Sequence, residues 1–160
     1  MNPYTNHSMN QYQQNQYQHN QVMTASQEQI LIMLYDGAIK FCRQAIAADE
    51  AGNMGEKLGR IAKVFAIIAE FSNSLNHEIG GEIAADLDGL YHFMLRELNK
   101  ARTDKSGESL RNVEKLLVDL RLTWGEAVEI NKKELGMLVQ KHQENDQETQ
   151  VPTRRISAAG

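Results

Sequence analysis

The sequence predicts an all-α protein, an antiparallel up-and-down four-helix bundle with room for a short extra helix and with polar tails. Three observations carry that expectation. The only prolines, Pro3 and Pro152, stand near the two ends, so no proline breaker interrupts the stretch between them. Four stretches of about twenty residues place apolar side chains at helical spacing, with short breaks between them. No segment alternates apolar and polar residues for long enough to make a convincing strand.

The elements follow in chain order. Residues 1–21 carry no Asp, Glu, Lys or Arg. They are rich in Asn and Gln, with Tyr4, Tyr12 and Tyr17 interspersed, and "YQQNQ" is followed directly by "YQHNQ". Such a composition cannot bury enough apolar surface to fold alone, so residues 1–21 are expected to be a disordered tail. Thr24 and Ser26 are candidate N-caps, with Gln27 and Gln29 three residues on as capping-box partners. The first helix is expected over 27–49, with Gly52 as its stop. The second is expected over 55–76, with Leu58, Ile61, Ala62, Phe65, Ile68, Ala69 and Leu75 on one side. "NHEIGG" then breaks the chain, because a glycine pair is a strong terminator. The third helix is expected over 82–100, with Ile83, Leu87, Leu90, Tyr91, Met94 and Leu98 inward. The fourth is expected from Glu108 to about Ile130, with Leu110, Val113, Leu116, Leu117, Leu120, Trp124, Ala127 and Val128 on one stripe. A short continuation through Leu135, Leu138 and Val139 is allowed by the pattern. The domain expectation is therefore a helical bundle over 22–140 and a second disordered polar tail over 141–160.

Composition excludes several functions. The net charge of −4 argues against a nucleic-acid surface. Cys42 is the only cysteine, so neither an internal disulfide nor a CxxC site can form. The N-terminal stretch has no basic region followed by an apolar one, so a signal peptide is not expected. No apolar run approaches the ~18 residues of a membrane span. A cytoplasmic protein with no membrane insertion is the expectation.

Catalytic patterns are missing as well. No Glu-x-x-His pair precedes His77, His92 or His142, and His77-Glu78 is followed by Gly81 where HExxH needs its second histidine. No phosphate-binding glycine loop occurs. Cys42 lies in the apolar arc of the first helix, which suits a packed thiol better than a nucleophile. No catalytic residue, metal or cofactor is expected, and a binding protein is favoured over an enzyme. The alternatives are a self-associating structural or adaptor bundle and a four-helix histidine phosphotransfer protein using His77 or His92.

Two helices carry more apolar surface than one packing face needs. On the first, Ile30, Leu34, Phe41 and Ala45 fall together, with Leu31, Ala38 and Cys42 beside them. Tyr35, Ile46, Ile39 and Ile32 then carry the arc to roughly 200°, where a core-facing stripe spans about half of that. Ile67 and Phe71 widen the second helix in the same way. The fourth helix has a narrow stripe, with Val118 and Leu122 as outliers. The surplus is open to three covers: the chain's own tail or last helix, a second copy, or a foreign helix laid in a groove. Gly37, Gly59, Gly89 and Gly125 sit inside the expected helices, where they would permit close backbone approach by a neighbour.

The segments "YQHNQVMTAS" (17–26), "LIMLYDGAIKF" (31–41), "LYHFMLRELNKA" (90–101) and "LRLTWGEA" (120–127) together resemble the flagellar export chaperone (FliS) family. The resemblance covers residues 17–128. Two features depart from the family pattern. Gln27 stands where proline is common, which alters the helix start, and the Tyr-Gln repeat lengthens the tail. The resemblance implies a cytoplasmic chaperone that holds the disordered C-terminal segment of newly made flagellin one-to-one and prevents premature polymerisation. It also implies delivery of the subunit to an export-gate component of the secretion apparatus. On that footing Ile32, Tyr35, Ile39 and Ile46 would line one wall of the flagellin groove, Ile67 and Phe71 another. Tyr17 and Val22 would form a provisional N-terminal lid.

Overall fold

Why the chain folds as helices is clearest at their ends. In the computed structural model, which describes residues 12–16 and 26–148, Ser26 caps the first helix through a complete capping box. The Gln29 backbone N–H donates to Ser26 Oγ, and the Ser26 backbone N–H donates to the Gln29 side chain. Helix α1 (Gln27–Glu50) thus begins at Gln27, the first helical position, where proline is also well tolerated. It ends at Gly52, whose φ of 71° only glycine adopts cheaply. There the Gly52 N–H donates to the Asp49 carbonyl and the Asn53 N–H to the Ala48 carbonyl, the paired bonds of a Schellman stop.

Asn53 and Asn76 cap the next two helices, α2 (Met54–Ser74) and α3 (His77–Ala101). The expected break at "NHEIGG" is a kink at Gly81 (φ 51°, ψ −122°), with a helical turn already formed ahead of it. Helix α4 (Glu108–Glu148) runs well past the expected end near Ile130. Residues 12–16 form a single helical turn. Among the described residues every regular element is helical, so the all-α architecture stands.

The chain divides into two compact units, residues 1–122 and 123–160. In the first, α1 packs along α2 and α2 along α3. Side-chain pairs give the directions. Asp49 meets Lys57 and Tyr35 meets Phe71, so α1 and α2 are antiparallel. Ser72 bonds Asp88 near the α2–α3 turn, while Lys57 reaches Asp104 at the other end. Arg43 pairs with Glu114 and Asp36 with Arg121, so the start of α4 runs antiparallel to α1. In the second unit, Ile130, Leu135, Met137, Leu138 and Val139 are each more than half exposed.

The core uses small residues as well as large ones. Ala38, Cys42, Ala45 and Ala48 of α1 are buried, as are Ala84 and Ala101 of α3. They face Val64 and Ile68 of α2, Met94 and Leu98 of α3, and Leu110, Val113 and Leu117 of α4 in one interior. Two expected inward residues are corrected. Ile83 is 70% exposed and Leu90 is 37% exposed, because the inner face of α3 is centred on Ala84, Tyr91, Met94 and Leu98. Gly37, Gly59 and Gly89 do not serve close helix approach either. A Cβ added at Gly37, Gly59 or Gly89 would meet no atom within 4 Å.

A buried lysine ties two loops together. Lys57 is 1% exposed, and its Nζ donates to Asp49 Oδ1 at 2.7 Å and to the Asp104 carbonyl at 3.2 Å. Asp104 in turn accepts from the Ser106 hydroxyl and from the backbone N–H groups of Ser106 and Ser109 at the entrance to α4. Those bonds hold its carboxyl well below the usual carboxylate range, the Ser106 hydroxyl contributing most.

Candidate docking surface

The residues expected to wall a groove separate into three sets. Tyr35 and Phe71, expected on an open wall, lie in the core at 0% and 3% exposure. Their rings stack with centroids 4.5 Å apart, and Tyr91 of α3 tilts against Phe71 at 5.6 Å. The Tyr35 and Tyr91 hydroxyls share a hydrogen bond of 2.7 Å. Three helices meet at this cluster, and each tyrosine can be buried because its hydroxyl is satisfied. Burial also pushes the Tyr91 phenol above its ordinary pKa, against the lowering effect of the Tyr35 bond. Ile32, Ile46 and Ile67 are half-buried. Ile39, 8% exposed, forms part of the floor of a real groove. Tyr17 and Val22 lie outside the described residues.

That groove is the seam between α1 and the start of α4. It is a shallow, open groove of about 650 Å³. Ile39 and Ala47 line it from α1, and Val118 and Leu122 from α4. Two charged clasps cross it: Asp36 to Arg121 at 2.8 Å and Arg43 to Glu114 at 2.9 Å. Each pair is spaced seven residues from the other on both helices, or two turns, so Ile39 and Val118 lie between them, with Ala47 and Leu122 beyond. Gln44 also lines the seam, and its Oε1 is buried without a hydrogen-bond partner. The signal for this seam was present in Val118 and Leu122, two outliers four residues apart and hence on one helical face.

Apolar surface is exposed elsewhere as well. A hollow of about 360 Å³ between α2 and α3 is lined by Leu58, Ile61, Ala62, Phe65, Asn99 and Arg102. Leu34, Leu90 and Phe93 are each a little over one third exposed. Phe41 is half-buried beneath Lys63 and Arg60, whose cationic groups lie 5.0 and 5.8 Å from its ring centre.

The nucleophile and ligand candidates are accounted for individually. Cys42 is fully buried, its thiol donates to the Leu110 carbonyl at 3.4 Å, and burial pushes its pKa up to about 12. His92 Nδ1 lies 2.8 Å from the Asp88 carbonyl, on an exposed surface. Among the described residues no cluster of His, Cys, Asp and Glu is arranged to hold a metal. No described helix is long and apolar enough to cross a membrane.

A helical bundle that carries an apolar seam suits a protein that acts by holding another chain. Comparison with known proteins narrows this to one family. The family described as "Flagellar protein FliS" matches residues 8–131. The Bacillus subtilis flagellar secretion chaperone FliS is 33% identical over 133 residues, covering 83% of this chain and 91% of that protein. The Pseudomonas aeruginosa flagellar secretion chaperone FliSB is 33% identical over 121 residues, covering 76% of this chain and 95% of that protein. A solved structure of a bacterial flagellar chaperone superposes with a TM-score of 0.61 at 20% identity, covering 76% of this chain and 98% of that one, and supports the fold. The chain belongs to the FliS family. That family is one of flagellar secretion chaperones, a non-enzymatic class.

Proposed function

We propose that this protein binds the disordered C-terminal segment of newly made flagellin in the cytoplasm, one-to-one, and keeps it from polymerising before export. The same reading has it hand the subunit to a component of the export gate. The observation that carries the proposal is the family match over residues 8–131, which takes in all of α1, α2 and α3. The surface is compatible with such a role. Half-buried Ile32, Ile46 and Ile67 supply contact area beside a core that Tyr35, Phe71 and Tyr91 hold rigid. Ile39 supplies a nearly buried floor. Tyr17 and Val22 are proposed as the lid that gives way to flagellin.

The physical logic is competition. A segment that orders on binding loses much of its burial energy to conformational entropy, so its contacts must be apolar and extensive. An internal lid need only be weaker than that ligand to shield the surface until it arrives. Purified flagellin monomers seeded to polymerise test the proposal. One equivalent of this protein should suppress filament growth, and growth at the unchaperoned rate would contradict it.

A further inference from the structure

We infer that residues 128–145 of α4 pair with the same segment of a second copy, as an antiparallel two-helix coiled coil. The pairing is independent of what the bundle binds. Most of this stretch lies beyond the family match, which ends at residue 131, while α4 continues to Glu148. Val128, Asn131, Leu135, Leu138 and His142 recur along it at alternating spacings of three and four residues. That is a heptad seam, with Val128, Leu135 and His142 at a and Asn131 and Leu138 at d. Leu135 is 55% and Leu138 57% exposed, and Asn131 and His142 are exposed too, so nothing among the described residues covers the seam. A helix with so narrow an apolar stripe is marginal alone in water and gains stability by burying that stripe against another helix.

The flanking charges identify the cover. Glu134 and Lys141 both stand at g, on one side of the seam. They are separated by about 10 Å of helix, too far to pair within one chain. In an antiparallel dimer the g positions of the two helices face each other. Seating Leu135 against the partner's Leu138 then brings Glu134 to the partner's Lys141 and Lys141 to the partner's Glu134. The two-fold axis thus makes two ion pairs from one complementary spacing. The same register sets Asn131 beside the partner's His142, so the two polar seam positions meet each other and not a leucine. Polar pairs of this kind fix register and orientation at a cost in stability.

Other registers are less favourable. A shift of one heptad sets Glu134 against the partner's Glu134, and a shift the other way sets Lys141 against the partner's Lys141. A parallel pair places His142 on the partner's His142 and leaves Glu134 beside the partner's Val139. The face is therefore complementary to itself in one arrangement, which is the mark of an isologous contact. The paired stretch spans about 27 Å of helix. So short a contact gives a weak, reversible dimer, in which one particle carries two copies of the chaperone unit.

The experiment is sedimentation equilibrium of the full chain from low to high micromolar concentration, using the parent, Leu138→Glu, Glu134→Lys and Lys141→Glu. All three substituted side chains are exposed, so the variants should melt like the parent. The parent should pass from monomer to dimer across the range, and Leu138→Glu should stay monomeric. Glu134→Lys and Lys141→Glu should each weaken the dimer about tenfold, because each turns both ion pairs into like-charge contacts. An equimolar mixture of the two should regain the parent's affinity as a heterodimer, since every swapped charge again meets its opposite. A parent that is monomeric throughout overturns the inference, as does a dimer that Leu138→Glu leaves intact. A mixture no tighter than its components overturns the antiparallel register. A monomeric parent whose affinity for the flagellin C-terminal segment falls with Leu138→Glu would assign the face to that segment and overturn the inference as well.

Discussion

Tyr35 shows how one side chain joins three helices. Its ring lies on Phe71 of α2 and its hydroxyl reaches Tyr91 of α3 at 2.7 Å. Tyr35→Phe keeps the ring and removes that bond, leaving a buried phenol with one partner fewer. A loss of about 1–2 kcal/mol in unfolding free energy is expected from denaturant titration. Lys57 should matter more. Its Nζ is paired with Asp49 inside the protein, so Lys57→Ala leaves a carboxylate behind and also frees the Asp104 carbonyl. The expected cost is about 3 kcal/mol, read as a lowered denaturation midpoint. At this scale the sequence was only partly legible. A helical wheel shows which side chains are apolar, and it placed Ile39 and Phe71 on a wide arc. It does not show that Ala38, Ala45 and Ala48 mark the centre of packing. Large residues drew the expected core toward themselves, while the close approach of helices is set by the small ones.

Helix boundaries were the most legible elements, because caps are local chemistry. The Ser26–Gln29 box and the Gly52 stop need only residues three or four apart. The entrance to α4 is capped differently, through the Asp104 carboxylate and its bonds from Ser106 and Ser109. Its folded pKa is depressed, so the stability it gives is fully present above the ordinary aspartate pKa of about 3.9 and is lost as the pH falls through the lower folded value. The parent should therefore lose thermal stability more steeply below pH ~4 than Asp104→Asn does. Parallel melting curves across that range would contradict this account of the cap. The kink at Gly81 and the continuation of α4 to Glu148 were less legible. The first depends on a single backbone conformation, and the second lies in a stretch whose apolar residues are sparse and exposed. Gly89 is exposed within α3, with open space where a Cβ would stand. Gly89→Ala should stabilise the protein by about 1 kcal/mol, read as a raised melting temperature.

For the whole molecule, the fold class followed from periodicity and the absence of internal proline, while the docking surface did not. A bundle interior can be inferred from each helix separately. A seam belongs to two helices and depends on their separation and register. Val118 becomes part of a floor only when α1 places Ile39 opposite it, and the Asp36–Arg121 and Arg43–Glu114 clasps fix that register. The family is written in short segments spread from the N-terminal stretch to α4, and the match over residues 8–131 agrees with it. What the chain holds remains the central claim. The most direct test is calorimetric titration of the protein with the C-terminal segment of flagellin from the same cell, repeated at several temperatures. Saturable one-to-one binding with a large negative heat-capacity change is predicted, the mark of a disordered segment folding onto apolar surface. An absence of binding heat at every temperature would contradict the account.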